Sequence, residues 1–273
     1  MRIIRYLYWN VCKKNLIKVI VDIIYKNDID IVALVEADKI DSNYLISELH
    51  KVGINFKINE IDPKGEEIKL FSKNNLKISV FKEENHYSIY KIYDGEDMYL
   101  LFVVHLLSAM YKNENARDSR AQSLSKVFNK IEEEIFKESS YKSIVIGDFN
   151  LHPFSSGIIG INGFNAVFSK DRAYKISRTV DEEKRFFYYN PMWKFLADDR
   201  NPQGTYYNNN DESDKSFYWY MFDQILIRPF LIERFIIDEL DIMSEINDAM
   251  LIKNGKIDSI KYSDHLPIKF EIR

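Results

Sequence analysis

The stretch KSIVIGDFNLHP, residues 142–153, opens as a buried strand and ends as something else. Ile144, Val145 and Ile146 are apolar without alternation, the pattern of a strand covered on both faces. Gly147, Asp148, Phe149 and Asn150 follow directly. If strand alternation continues through them, the Asp148 carboxylate and the Asn150 carboxamide point the same way. In layered α/β folds, the ends of such strands are where ligand-binding groups collect.

Other strands of the chain end alike. The segment IIRYLYWNV (3–11) closes on Asn10, DIDIVALVEAD (28–38) closes through Glu36, and MYLLFVVHL (98–106) closes on His105. Asp223 enters FDQILIRPF (222–230), and Asp264 with His265 immediately precedes LPIKFEI (266–272). The spacing of apolar residues predicts helices over 13–27, over 42–53 with Ser42 as N-cap and Gly53 as terminator, over 115–136, and a short one at 191–197. Short strands punctuated by turns at 63–65, 74–75 and 94–95 predict an antiparallel meander over 54–106. A single polar strand end is ordinary turn chemistry. The joint set is not.

Chemically the set is coherent. Glu36, Asn10 and a further Asp offer hard oxygen ligands without thiolates, which suits Mg²⁺ or Mn²⁺ better than a structural zinc. A neighbouring Asp and His can hold and charge an imidazole, and a separate carboxylate can activate water. Metal, water activator and phosphate-facing imidazole are the parts of phosphodiester hydrolysis.

Composition narrows the class. The 273 residues are 46% hydrophobic, 29% charged and 14% aromatic, without a Gly/Ser/Pro-rich linker, so one domain over 1–273 with a sizeable core is expected. A single cysteine, Cys12, excludes an intrachain disulfide framework, and MRIIRYLYWN carries no signal-peptide pattern, so the expected setting is cytoplasmic. No apolar run is long enough for a membrane helix, so no stable membrane association is expected. The net charge of -4 argues against a generally basic nucleic-acid coat but is compatible with a local basic groove.

The motifs WNV (9–11), LVEAD (34–38), VHL (104–106), GDFN (147–150), FDQIL (222–226) and SDHLP (263–267) occur in an order that resembles the endonuclease/exonuclease/phosphatase superfamily, and they span nearly the whole chain. The resemblance implies a four-layer α/β sandwich, two mixed β-sheets packed face to face with helices outside and a metal site at one rim. Carried over by motif, Asn10 and Glu36 are implied metal-site residues with Asp264 at or near the metal. Asp148 is implied to orient or deprotonate the attacking water, or to bind a second metal, and Asn150 to bind that water or the phosphate. His265, polarised by Asp223, would contact the scissile phosphate, and His105 a phosphate oxygen or the leaving group. Nucleic acid is the implied substrate. A phosphomonoesterase or head-group phosphodiesterase is the alternative, and a catalytically inert binding scaffold a third reading.

Other residues are less marked. Arg120 and Gln122, in RDSRAQ, resemble a helix start that faces the phosphate in this family, and the same letters suit a solvated helix face. The aromatic segments RFFYYNPMW (185–193) and 204–220 read mostly as core, with Tyr206, Tyr207 and Trp219 as rim residues able to stack on bases. His50, His86 and His152 match no motif and read as structural or surface histidines.

Overall fold

Covering both faces of a strand requires layers on both sides, and the chain builds them from two mixed sheets. The computed structural model describes residues 2–61, 67–106, 113–136, 140–197, 202–208, 217–246 and 249–273. The predicted turn at 63–65 and most of the polar loop at 208–214 lie outside the described residues.

In the first sheet, β1 (Ile4–Asn10) runs parallel to β2 (Ile31–Val35), joined by helix α1 (Ile17–Asn27). Helix α2 (Ser42–Lys51) leads to β3 (Phe56–Ile58), which pairs with β4 (Ile68–Lys73), and β4 pairs with β2. Asp41, not Ser42, caps α2: its carboxylate accepts the Tyr44 N–H at 3.0 Å.

The second sheet starts with β5 (Lys77–Glu84), β6 (Tyr87–Asp94) and β7 (Asp97–His105). The meander predicted over 54–106 therefore divides between the two sheets after Lys73. Both edges of β4 are already taken, by β2 and β3, so β5 has no partner there and the chain crosses over. The long helix α3 (Glu114–Ile135) returns the chain to β8 (Ser143–Asp148), parallel to β7.

The short helix α4 (Ser156–Ile159), strand β9 (Ala166–Val167) and short helix α5 (Lys170–Ala173) follow. The hairpin of β10 (Ser177–Val180) and β11 (Glu183–Phe186) precedes β12 (Tyr188–Tyr189). Residues Pro191–Phe195 form a 3₁₀ turn rather than an α-helix, opened by Asn190 accepting the Met192 N–H at 3.0 Å. A second hairpin joins β13 (Tyr206–Tyr207) to β14 (Trp219–Tyr220), ahead of β15 (Asp223–Ile227) and β16 (Phe235–Ile242). Two small hairpins, β17 (Glu245–Ile246) with β18 (Ala249–Met250) and β19 (Ile252–Lys253) with β20 (Lys256–Ile257), lead to β21 (Ile268–Ile272). The orders are β16-β21-β1-β2-β4-β3 and β5-β6-β7-β8-β15-β12-β9.

Alternation then divides the core. Leu101, Val103, Ile144, Ile146, Ile225 and Ile227 join the large cluster that includes the first sheet. Their neighbours Leu100, Phe102, Val104, Val145 and Leu226 face the other way and pack with Ala121, Leu124, Phe128 and Ile131 of α3. That is the expected four-layer arrangement, with the helices outside.

Gly147 sits opposite Val104 in the parallel β7–β8 pair, and a Cβ there would lie 1.9 Å from the Val104 carbonyl oxygen. Neither backbone can yield without breaking the ladder that carries Asp148. Gly147→Ala is expected to destabilise the fold by about 3 kcal/mol or more, at the upper end of overpacking costs, read as a lowered urea midpoint.

Candidate active site

The sheet register brings the polar strand ends into one row. His105 pairs with Asp148 across β7 and β8, and Asp148 pairs with Asp223 across β8 and β15. Side chains in one register row share a face, so these three converge by strand pairing alone. Asn10 ends β1 and Glu36 follows β2 directly, which places both at the neighbouring rim of the first sheet.

Asp148 is the centre. Its Oδ2 accepts from Asn10 Nδ2 at 3.1 Å and lies 3.7 Å from His265 Nε2 and 4.0 Å from His105 Nε2. Its Oδ1 accepts the Asn150 N–H at 2.8 Å. Burial raises the Asp148 carboxyl above the usual range, only partly opposed by His265.

His265 Nδ1 is 2.7 Å from Asp223 Oδ2, and both residues are buried. That contact directs Nε2 toward Asp148. Burial by itself would lower the His265 imidazolium, and the surrounding Asp223 and Asp148 carboxylates reverse the effect and raise it. His105 lies between two acids, with Nε2 3.4 Å from Glu36 Oε1 and Nδ1 2.5 Å from Glu67 Oε1. Burial opposes its charge, yet Glu36 and Glu67 hold it as an imidazolium up to about 10.

Glu36 has a left-handed backbone, φ 50°, and accepts from Asn10 Nδ2 at 3.2 Å. The His105 contact lowers its carboxyl below the usual range. Asn10 thus points its amide nitrogen at both Glu36 and Asp148, because its Oδ1 accepts the Cys12 N–H at 3.0 Å. Ser263 positions the last pair: its hydroxyl donates to the Asn10 carbonyl at 2.6 Å and accepts the His265 N–H at 3.1 Å. Trp9 Nε1 donates to the His265 carbonyl at 2.8 Å. The WN and SDH motifs are therefore clamped together by backbone contacts. Asp264 lies on the Cys12 side, where its carboxylate helps to raise that thiol to about 11 after burial itself.

Asn150 does not follow strand alternation. The strand ends at Asp148, Asn150 is left-handed at φ 50°, and its Nδ2 donates to the Leu106 carbonyl at 3.0 Å. A turn closed by Asp148 Oδ1, not the pleat, sets its direction.

The helix α3 contributes differently than the motif suggests. Arg120 is exposed and Gln122 half-buried, whereas Arg117 donates from Nη1 to the Asn150 carbonyl. The apolar stripe of α3, Ala121, Leu124 and Phe128, projects back by one turn onto 117, so its signal was present in the periodicity. Of the rim aromatics, Tyr206 lies against His265 with ring centroids 4.9 Å apart. Trp219 packs instead on Tyr207, 5.1 Å away, and against the large core, because alternation in β14 assigns the site-facing direction to Tyr220. Among the unmatched histidines, His50 is exposed, His86 accepts the His105 N–H through its backbone carbonyl, and His152 is buried among aromatic rings. Glu67 lies in none of the motifs, whereas Arg117 and Ser263 lie inside RDSRAQ and SDHLP without being marked there as candidate site residues.

No protein-family model matches the sequence, and no curated protein matches it significantly. Solved structures do. The chain is similar to D. rerio TDP2 complexed with single strand DNA product, at 13% identity over 100% of both chains with a TM-score of 0.55. It is similar to the human Nocturnin catalytic domain with bound sulfate, at 15% identity over 99% of this chain and 94% of that one, TM-score 0.55. An AP endonuclease from Archaeoglobus fulgidus aligns at 14% identity over 98% of each chain, TM-score 0.53. The chain has the fold of the endonuclease/exonuclease/phosphatase superfamily, to which these structures belong.

Proposed function

We propose that the chain is a divalent-metal-dependent phosphodiesterase, a nuclease that cleaves DNA or RNA by in-line attack of water. The observation that carries this reading is the buried Asp148 carboxylate with Asn10, His105 and His265 around one oxygen. The similar structures support a nucleic-acid substrate, one being TDP2 with a single strand DNA product and another an AP endonuclease.

The donor set fits a hard cation. Glu36, Glu67, Asp148, Asp223 and Asp264 gather carboxylate oxygens beside His105, His265 and Arg117, and no thiolate is needed. Asp148, Asp223 and His265 present ligand atoms within 4.8 Å of one another, and one Asp223 oxygen is buried without a hydrogen-bond partner among the described residues. Because His265 is held by Asp223, the Glu36 rim with Asp264 and Asn10 is the better seat for Mg²⁺ or Mn²⁺. Asn10 would ligate only after turning its amide, since its oxygen faces Cys12. Such an ion supplies charge stabilisation to a phosphate oxygen.

The chain's own residues do the rest. Asp148 Oδ2 is placed to take the proton of the attacking water, its other oxygen being occupied by the Asn150 N–H. His265, kept cationic by Asp223, offers Nε2–H to the charge that develops on phosphate. His105, charged between Glu36 and Glu67, stands on the opposite side of Asp148.

Purified protein is expected to hydrolyse bis-p-nitrophenyl phosphate with Mg²⁺ or Mn²⁺ and to lose that activity in EDTA, with recovery on adding metal back. A panel of single-stranded, duplex and abasic DNA, RNA and inositol phosphates then assigns the class. Preference for an inositol phosphate over every nucleic acid would replace this reading with the phosphomonoesterase one.

A further inference from the structure

Aromatic rings lead away from the site in unbroken contact. Tyr206, already against His265, stacks on Phe222 at 5.4 Å, and Phe222 meets Tyr220 at 4.9 Å. Tyr220 stacks on His152 at 5.2 Å, and His152 lies parallel to Phe154 at 4.7 Å with 7° between the planes. From Phe154 the contacts continue to Trp193 at 6.4 Å, and from Trp193 to Phe168 at 5.4 Å. All these separations fall in the range of favourable ring pairs.

The inner rings are covered and the outer ones are not. Phe222 and His152 are buried, whereas Phe154 is 42% exposed and Phe168 66% exposed. A core does not leave large rings open in a row, and an exposed apolar run joined to a polar cleft marks a binding surface. Its outer end carries cations as well: Lys170 and Arg172 follow Phe168 on α5, their side chains resting over Tyr189 and Phe187. Exposed rings with cations nearby match unstacked bases joined by phosphates. In a duplex the bases are stacked on one another and cannot offer their faces.

Resting on the nuclease reading above, we infer that this aromatic ladder is a base-stacking track, which makes the substrate a single strand whose flanking nucleotides lie along Phe154, Trp193 and Phe168. The ladder acts on affinity for longer strands. The chemistry at Asp148 does not depend on it.

The test uses fluorescein-labelled oligothymidylate long enough to reach Phe168, the same sequence as a duplex, and bis-p-nitrophenyl phosphate. Binding is measured by anisotropy in EDTA with the parent, Phe154→Leu and Phe168→Ala. The parent is expected to bind the single strand more tightly than the duplex. Each substitution should weaken single-strand binding roughly fivefold or more and leave bis-p-nitrophenyl phosphate turnover at the parent level. Unchanged single-strand affinity in both variants overturns the inference. So does equal binding of duplex and single strand, or a self-association of the parent, seen by sedimentation, that the variants lose. If the parent binds single strands with this dependence but hydrolyses no phosphodiester, the ladder stands and the nuclease reading fails.

Discussion

Asp148→Asn is expected to lower turnover of any phosphodiester substrate by about 10²- to 10⁴-fold, the range for losing a positioned general base. The replacement keeps the shape and still accepts the Asn150 N–H through its carbonyl oxygen, but its amide nitrogen cannot accept the bond that Oδ2 takes from Asn10 Nδ2. It removes one of two carboxylates that face each other across β8 and β15. Burial already raises the Asp148 carboxyl, so charging it opposes folding at neutral pH. Relief of that charge offsets the lost Asn10 bond, so the variant should remain folded in thermal melts while being nearly inactive. His265→Ala should lose about 10²- to 10³-fold, the scale of one removed donor to developing charge. Steady-state kinetics beside thermal melts check both, and near-parent turnover in the two folded variants would refute these roles.

The second large effect lies away from the site. Glu132 and Arg228 form a buried ion pair, 0% and 1% exposed, with Arg228 Nη2 2.5 Å from Glu132 Oε2. Tyr188 donates to Glu132 at 3.1 Å, Ser143 donates to it as well, and the guanidinium lies 3.6 Å from the Tyr188 ring centre. This knot ties α3 to β8, β12 and the end of β15, so it also holds the helix that carries Arg117. Removing one partner leaves an uncompensated buried charge. Glu132→Gln is expected to cost about 3–5 kcal/mol, a large share of a typical domain's stability. Replacing both residues, Glu132→Leu with Arg228→Met, should recover part of that loss, since an apolar pair leaves no stranded charge. Urea unfolding of the single and double variants measures both values. A loss under about 1 kcal/mol in Glu132→Gln would show that the pair contributes little.

The strand-end residues of the candidate site were legible in the sequence; their supports were not. Asn10, Glu36, His105, Asp148, Asp223, Asp264 and His265 were legible because each ends or begins an apolar run that itself reads as a strand. Glu67 was not, because it immediately precedes β4 with no motif around it, and only folding brings it to His105. Glu132 was hidden in the charge run IEEEI (131–135), which reads as solvated. The helical stripe turns one of its three acids inward onto Arg228 and leaves Glu133 and Glu134 outside.

The sequence by itself determined the layered α/β class, the strands and the polar groups at their ends, since period, burial and turn chemistry are local properties of the chain. Tertiary structure alone decided which of those ends share an oxygen. Register sets His105, Asp148 and Asp223 in one row, and the filled edges of β4 send β5 to the other sheet. The first is a matter of hydrogen-bond pairing between distant segments, and the second of which edge is free. Neither is written in any one stretch, including the one that ends in Asp148 and Asn150.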